Sequence, residues 1–262
     1  MLRKVLSGLG FGATVTGMTI VFVHGNPESD AIWGPLRAEL GRDDTVCLSP
    51  PGFGAPLPDG FGATVLEYRD WLVGELEAIG EPVDLVGHDW GGGHVVNVAM
   101  YRPDLLRSWV SDVVGLFDPD YVWHDAARIW QTPAEGEKLV DLMMQAPREA
   151  RVERNTQLGM PADVAEAVAD AQGDEMGRAI LSVYRSAAQP VMAELGKNLE
   201  NAAARPGLHI VATEDGFVGA GDRRIRPGER AGARTVRLEG LGHWWMLQDP
   251  ARGAAVLADF LG

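Results

Sequence analysis

The sequence predicts an α/β fold: a mostly parallel central sheet flanked by helices, with a helical cap inserted into it. Three observations predict this. Short apolar runs alternate with longer stretches of helical spacing over the first 118 residues. The apolar run 83–86 ends in a glycine-rich turn, Gly87-His88-Asp89-Trp90-Gly91-Gly92, that leads directly into helical sequence. The alternation then stops between 119 and 203, where no strand pattern appears, and resumes beyond it. The expected organisation is a core of residues 1–118 and 204–262 with a cap of residues 119–203 between its halves.

The first strand is expected over 18–23, ending at His24-Gly25-Asn26-Pro27, and a helix over 31–40. Thr45 to Leu48 reads as a second strand, cut by Pro50-Pro51-Gly52-Phe53-Gly54, a strong turn signal. Val65 to Ile79 has helical spacing, with Val65, Leu72, Leu76 and Ile79 on one face. Strands follow at 83–86 and 106–114, with a helix over 93–100 between them. Strands and helices in this order imply parallel pairing with both sheet faces covered. The cap reads as helices over 136–145, 162–171, 176–185 and 191–199. Strands at 208–213 and 235–238 and a helix over 250–260 complete the core.

Bulk properties narrow the function. A formal charge of −14 and a pI near 4.8 argue against nucleic acid and anionic membrane surfaces as partners. Cys47 is the only cysteine, which excludes an intrachain disulfide and a thiolate cluster; it reads as a buried strand residue. Residues 1–12 lack the apolar core and cleavage site of a leader, and no segment is long and apolar enough to span a bilayer. A soluble, cytoplasmic protein is expected, as a monomer or homodimer. No set of His, Asp and Glu has metal-ligand spacing, so neither metal nor cofactor is expected.

The turn at 87–92 carries the chemistry. Strand, tight turn and helix form a nucleophile elbow, usually G-x-S-x-G, and here G-x-D-x-G. A serine needs a base before it attacks; an aspartate is already anionic at neutral pH and can displace a leaving group from saturated carbon. His243 lies in Gly240-Leu241-Gly242-His243 after the last strand, a loop at the carboxyl end of the sheet. Acidic candidates follow the preceding strand at Glu214-Asp215. Asp215 is preferred; Glu214 is one position away, and Asp112, after the strand beyond the elbow helix, is a rival. His24 and His88 read as structural, and His94, His124 and His209 have no strong functional case.

In the order nucleophile, acid, histidine, with the GHDWGG elbow and the HG-x-P turn at 24–27, the chain resembles the α/β-hydrolase fold superfamily. The likeness is to its aspartate-nucleophile branch of epoxide hydrolases and haloalkane dehalogenases, and it covers core and cap. Little sequence precedes the His24 strand, so part of the usual opening hairpin is expected to be missing. The resemblance implies two steps. Asp89 forms a covalent alkyl ester, then His243, oriented by its acid, activates a water that attacks the ester carbonyl. Backbone N–H groups of Asn26 and Trp90 are implied as the oxyanion hole.

The leaving group separates the two families. An opening epoxide needs a proton, which cap tyrosines supply in epoxide hydrolases. Ser182-Val183-Tyr184-Arg185 resembles one such motif, which points to Tyr184. Tyr121 is the candidate second donor, with His124 as a substitute. A halide needs only N–H donors, for which Trp90 and Asn26 are suited; Asn at that position resembles the dehalogenases. Epoxide hydrolysis is the preferred expectation and dehalogenation the alternative. A non-catalytic ligand-binding scaffold is the reading from another class, which an intact Asp89 and His243 disfavour. Trp123, Trp130, Met143, Met144, Met192, Trp244 and Trp245 suggest an apolar substrate of modest size.

Overall fold

The structure is a computed structural model that describes residues 18–219 and 222–262. The expected leader-free start and the missing part of the opening hairpin fall outside the described residues. Six strands form one parallel sheet in the order β2-β1-β3-β4-β5-β6. They are β1 Ile20–Val23, β2 Thr45–Leu48, β3 Val83–Gly87, β4 Leu106–Ser111, β5 Gly207–Ala212 and β6 Ala233–Leu238. β1, β3 and β5 are buried along their whole length, as both faces of the sheet are covered.

One face is covered by α2 Val65–Ile79 and α3 Trp90–Tyr101, whose buried residues form one apolar cluster. The other face packs on α1 Gly34–Leu40 and α12 Pro250–Leu261, preceded by the short α11 Trp245–Gln248. α2 spans the residues its periodicity predicts because both ends carry stop signals. Thr64 and Glu67 close a capping box at its start, and Gly80 ends it at φ 83°. Asp249 caps α12 by accepting from the Arg252 N–H at 3.1 Å, with Pro250 in the first turn.

Between β4 and β5 lie α4 Asp125–Gln131, α5 Glu135–Met144, α6 Arg148–Gln157, α7 Ala162–Ala171, α8 Asp174–Ser186 and α9 Val191–Leu195, the expected helical insertion. Hydrogen bonds tie it to the core. The Gln172 side chain donates to the Pro27 carbonyl at 2.9 Å, and the Val65 N–H to the Ser186 hydroxyl at 3.0 Å. Between β5 and β6 lies α10 Asp222–Arg230.

Four expectations need correction. β4 ends at Ser111 rather than 114, because the Asp112 carboxylate is drawn toward the β3 turn and Val114–Phe117 winds into a 3-10 turn. The elbow helix begins at Trp90 rather than 93. The helix expected over 191–199 splits into α9 and a 3-10 stretch, Gly196–Ala204; a side chain at Gly196 would collide with the Phe117 carbonyl. α4, α6 and α10 went unpredicted. In α6 Val152 is the one aliphatic residue of ten larger than alanine, and α10 contains Pro227, so neither shows an apolar stripe.

Candidate active site

In this strand order the chain leaves β1 toward β2 on one side, while β3 lies on the other. That reversal opens a crevice at the carboxyl ends of β1 and β3, where open α/β sheets place their sites. Asn26 follows β1, Asp89 follows β3, Asp112 follows β4, Asp215 follows β5 and His243 follows β6. Five adjacent strand ends therefore feed one row of loops.

The elbow is built by close approach. Asp89 sits at φ 49°, ψ −127°, a conformation that costs a non-glycine residue of the order of 1–3 kcal/mol. The surrounding glycines make it attainable. A Cβ on Gly87 would lie 2.5 Å from the Gly91 carbonyl oxygen, one on Gly91 would strike the Val23 carbonyl, and one on Gly25 would strike the Asp89 side chain. The Asp89 carboxylate thereby projects from the end of β3 with 14% of its side chain exposed.

Asp89, His243 and Asp215 are brought together. His243 Nδ1–H donates to Asp215 Oδ2 at 2.9 Å, and its Nε2 faces Asp89 Oδ2 at 4.0 Å. A carboxylate only accepts, so Asp215 fixes the proton on Nδ1 and leaves Nε2 aimed at Asp89. The other Asp215 oxygen accepts from the Phe217 N–H at 2.7 Å. Of the rival acids, Glu214 is exposed, and Asp112 is engaged elsewhere. Asp89 Oδ1 accepts from the Asn26 N–H at 3.0 Å.

Charge in this buried space follows the contacts. Burial raises the Asp89 carboxyl above its usual value against the opposing pull of His243. Burial and the nearby His88 both favour neutral His243, but Asp215 and Asp89 outweigh them and raise it. Burial would raise Asp215 as well; its hydrogen bond from His243 takes it below the usual carboxylate range.

A second histidine–carboxylate cluster lies directly beneath, one that no spacing along the chain announces. His88 donates from Nδ1 to Asp112 Oδ2 at 2.5 Å, and its Nε2 faces Glu28 Oε1 at 3.3 Å. Asp112 also accepts from the Asp89 N–H at 3.0 Å and the Trp245 indole at 2.8 Å. Glu28 accepts from the Trp244 indole and, at 3.2 Å, from the Gly25 N–H. His88 and Glu28 are both 0% exposed, and the His88 ring centroid lies 4.5 Å from that of His243. Burial opposes charge on His88, yet Asp112 and Glu28 override it and hold the imidazole well above its ordinary pKa. His88 in turn takes Glu28, which burial alone would raise, down to about 2. Trp244 and Trp245, expected near a pocket wall, thus spend their N–H groups on these carboxylates.

Tyr184, from α8, is 3% exposed and surrounded by Trp90, Trp123 and Trp130 at centroid distances of 5.3, 5.6 and 4.8 Å. Its hydroxyl faces the Trp90 indole and the Asn26 side chain, and burial with the Asp89 charge holds it protonated far above neutral pH. The Asn26 amide atoms have no hydrogen-bond partner. Tyr121 is buried in the same aromatic group, its hydroxyl 3.4 Å from the Phe217 carbonyl, and burial raises its pKa too. His124 caps α4 by accepting the Ala127 N–H on Nδ1; burial lowers it to about 4, and its ring lies 6.1 Å from Tyr184. His24 is structural as expected, with Nδ1 on the Gly25 carbonyl at 2.8 Å. Met192 is 0% exposed and packed in the core.

Comparison with known proteins agrees with this architecture. Residues 37% of the chain in extent match 32% of "Epoxide hydrolase 3" of Siraitia grosvenorii, with 34% identity over 109 residues. A 148-residue stretch, 49% of the chain, is 29% identical to 44% of a haloalkane dehalogenase of Mesorhizobium japonicum. The matched stretch is thus under half the length of either relative. The crystal structure of E-2-(acetamidomethylene)succinate hydrolase superposes with a TM-score of 0.74 over 94% of this chain and 92% of that one, at 20% identity, a likeness of fold alone. The profile of the alpha/beta hydrolase family matches residues 20–256, nearly the whole of the described sheet and its insertion, and the chain belongs to that family.

Proposed function

We propose that the chain is a hydrolase that opens small apolar epoxides to vicinal diols through an ester on Asp89, with residues 119–203 as the cap over the reacting centre. Asp89 attacks a ring carbon; the carbon–oxygen ring bond breaks, and the departing oxygen takes the proton of the Tyr184 hydroxyl. His243 then removes a proton from water, whose oxygen attacks the ester carbonyl; as the ester C–O bond breaks, the diol oxygen takes the proton left on the attacking hydroxyl, and the proton on His243 returns to the Tyr184 phenolate. Esterification removes the negative charge of Asp89 and with it one of the influences that raise His243. Burial and the His88 charge then favour neutral His243, the form that accepts the water proton.

The observation that carries the epoxide reading is the Tyr184 hydroxyl. It faces the Trp90 indole and Asn26, the two donors a departing halide would need, and it brings a proton that a halide does not need. The dehalogenase reading keeps its support in Asn26 and Trp90 themselves and in the matched dehalogenase. Against a passive binding scaffold stands the ordered Asp89–His243–Asp215 row, which ligand binding alone does not require.

The test pairs wild type with Asp89→Ala on a panel of aryl and terminal epoxides and a panel of bromo- and chloroalkanes. Diol release by wild type alone is expected. With the substrate so found, His243→Gln is expected to trap the ester, seen as a mass increase equal to the substrate. Halide release without diol would move the assignment to the dehalogenase, and an active Asp89→Ala would end the nucleophile assignment.

A further inference from the structure

We propose that Glu28, His88 and His243 form a binding site for a first-row divalent cation, Zn2+ foremost, and that an ion there silences the centre by occupying the base. The proposal does not depend on which leaving group the chain acts on. The three residues come from the loops after β1, β3 and β6. One ligand atom from each lies within 4.8 Å of the other two, and all three residues are buried.

The geometry suits an ion better than it suits the side chains alone. His88 Nε2 has no hydrogen-bond partner although it is fully buried. It faces Glu28 Oε1 at 3.3 Å, out of line for a hydrogen bond. Zinc bonds of about 2.0–2.2 Å at tetrahedral angles place neighbouring ligand atoms roughly 3.3–3.6 Å apart. Both imidazoles already carry the outer support common to metal-bound histidines. Asp112 accepts from Nδ1 of His88 and Asp215 from Nδ1 of His243, which directs each Nε2 inward. The Trp244 indole and the Gly25 N–H steady the Glu28 carboxylate. Asp89 Oδ2 lies 4.0 Å from His243 Nε2 but outside the set of mutually close ligand atoms, so the fourth position of a tetrahedral ion falls to water.

The surroundings also call for positive charge. Glu28, Asp89, Asp112 and Asp215 are four carboxylates sharing this space with two imidazoles. Coordination displaces the protons on the imidazole nitrogens that bind, exchanging them for a divalent charge. Bound in this way, His243 has no lone pair for water, so occupancy blocks ester hydrolysis.

The experiment titrates Zn2+ into the full chain after chelator treatment, by calorimetry, with Co2+ absorption as a second readout of tetrahedral ligation. One equivalent per chain is expected for wild type. Glu28→Gln and His243→Gln are each expected to weaken it at least about tenfold, while Glu166→Gln, at an exposed position of α7, leaves it unchanged. Circular dichroism checks that the variants fold; if Glu28→Gln does not, His243→Gln alone decides. No saturable binding, or full affinity retained by a folded His243→Gln, overturns the proposal. Binding is read without substrate, so its failure is distinct from failure of the epoxide assignment.

Discussion

Replacing Tyr184 by phenylalanine removes one oxygen from a packed aromatic group and leaves its ring contacts with Trp90, Trp123 and Trp130 in place. If that hydroxyl protonates the departing oxygen, Tyr184→Phe lowers the rate of ester formation from an epoxide by about 100-fold or more. Single-turnover kinetics checks this, and a loss under about threefold would remove Tyr184 from the chemistry. His243 gives a second prediction. Asp215 and Asp89 raise its pKa despite burial and His88. Its ring protons in the free protein, followed by NMR, are expected to titrate above 6.5, the ordinary histidine value. Because the folded value is raised, the stability this proton contributes is full below about 6.5 and is lost as pH rises through the folded pKa. In Asp89→Asn, which loses one raising charge, the midpoint is expected to fall; an unmoved midpoint would separate the two side chains electrostatically.

At the scale of the element, the elbow stores strain in order to present a carboxylate. Asp89 is held at φ 49°, where only glycine is at ease. Asp89→Gly is therefore expected to be more stable than Asp89→Ala by about 1–3 kcal/mol, measured by urea unfolding, although both lack the carboxylate. Equal stabilities would mean that the elbow relaxes once the aspartate is gone. Gly91→Ala tests the close approach from the other side. Its Cβ meets the Val23 carbonyl, a backbone atom of β1, hydrogen-bonded between β2 and β3 with no room to yield. A cost of at least about 2 kcal/mol is expected, together with misalignment of the Asp89 carboxylate.

Over the whole molecule, His88 joins loops that are far apart in the chain. Through Glu28, Asp112, Trp244 and Trp245 it links the ends of β1, β3, β4 and β6. It is a buried positive charge between two buried carboxylates, and removing one partner of such a set leaves the others uncompensated. His88→Gln is expected to cost about 3–5 kcal/mol of folding stability. A cost below about 1 kcal/mol would mean that His88 is neutral and the carboxylates share a proton. Glu28 shows the sign from the acid side. Its folded pKa of about 2 lies below the unfolded value, so its contribution is present above the ordinary carboxylate range and is lost as pH falls toward 2.

The sequence by itself determined those features whose cause is local. α2 was legible to its last residue because periodicity, Thr64, Glu67 and Gly80 agree. The elbow was legible because glycine at 87 and 91 is the one residue that admits such a turn. Asp89 and His243 followed from their places after β3 and β6, and Asp215 was named with its rivals still standing. Tertiary structure decided what depends on loops meeting. It set Asp215 against His243 and gave Asp112 to His88, a choice no spacing along the chain encodes. It brought Glu28, an ordinary loop acid in the sequence, to full burial beneath the site. α6 and α10 are helices that their neighbours and their ion pairs hold, without an apolar stripe to announce them. The physical reason is range: backbone geometry and periodicity act within a few residues, whereas the pairing of buried charges is settled only when the six strands bring their ends together.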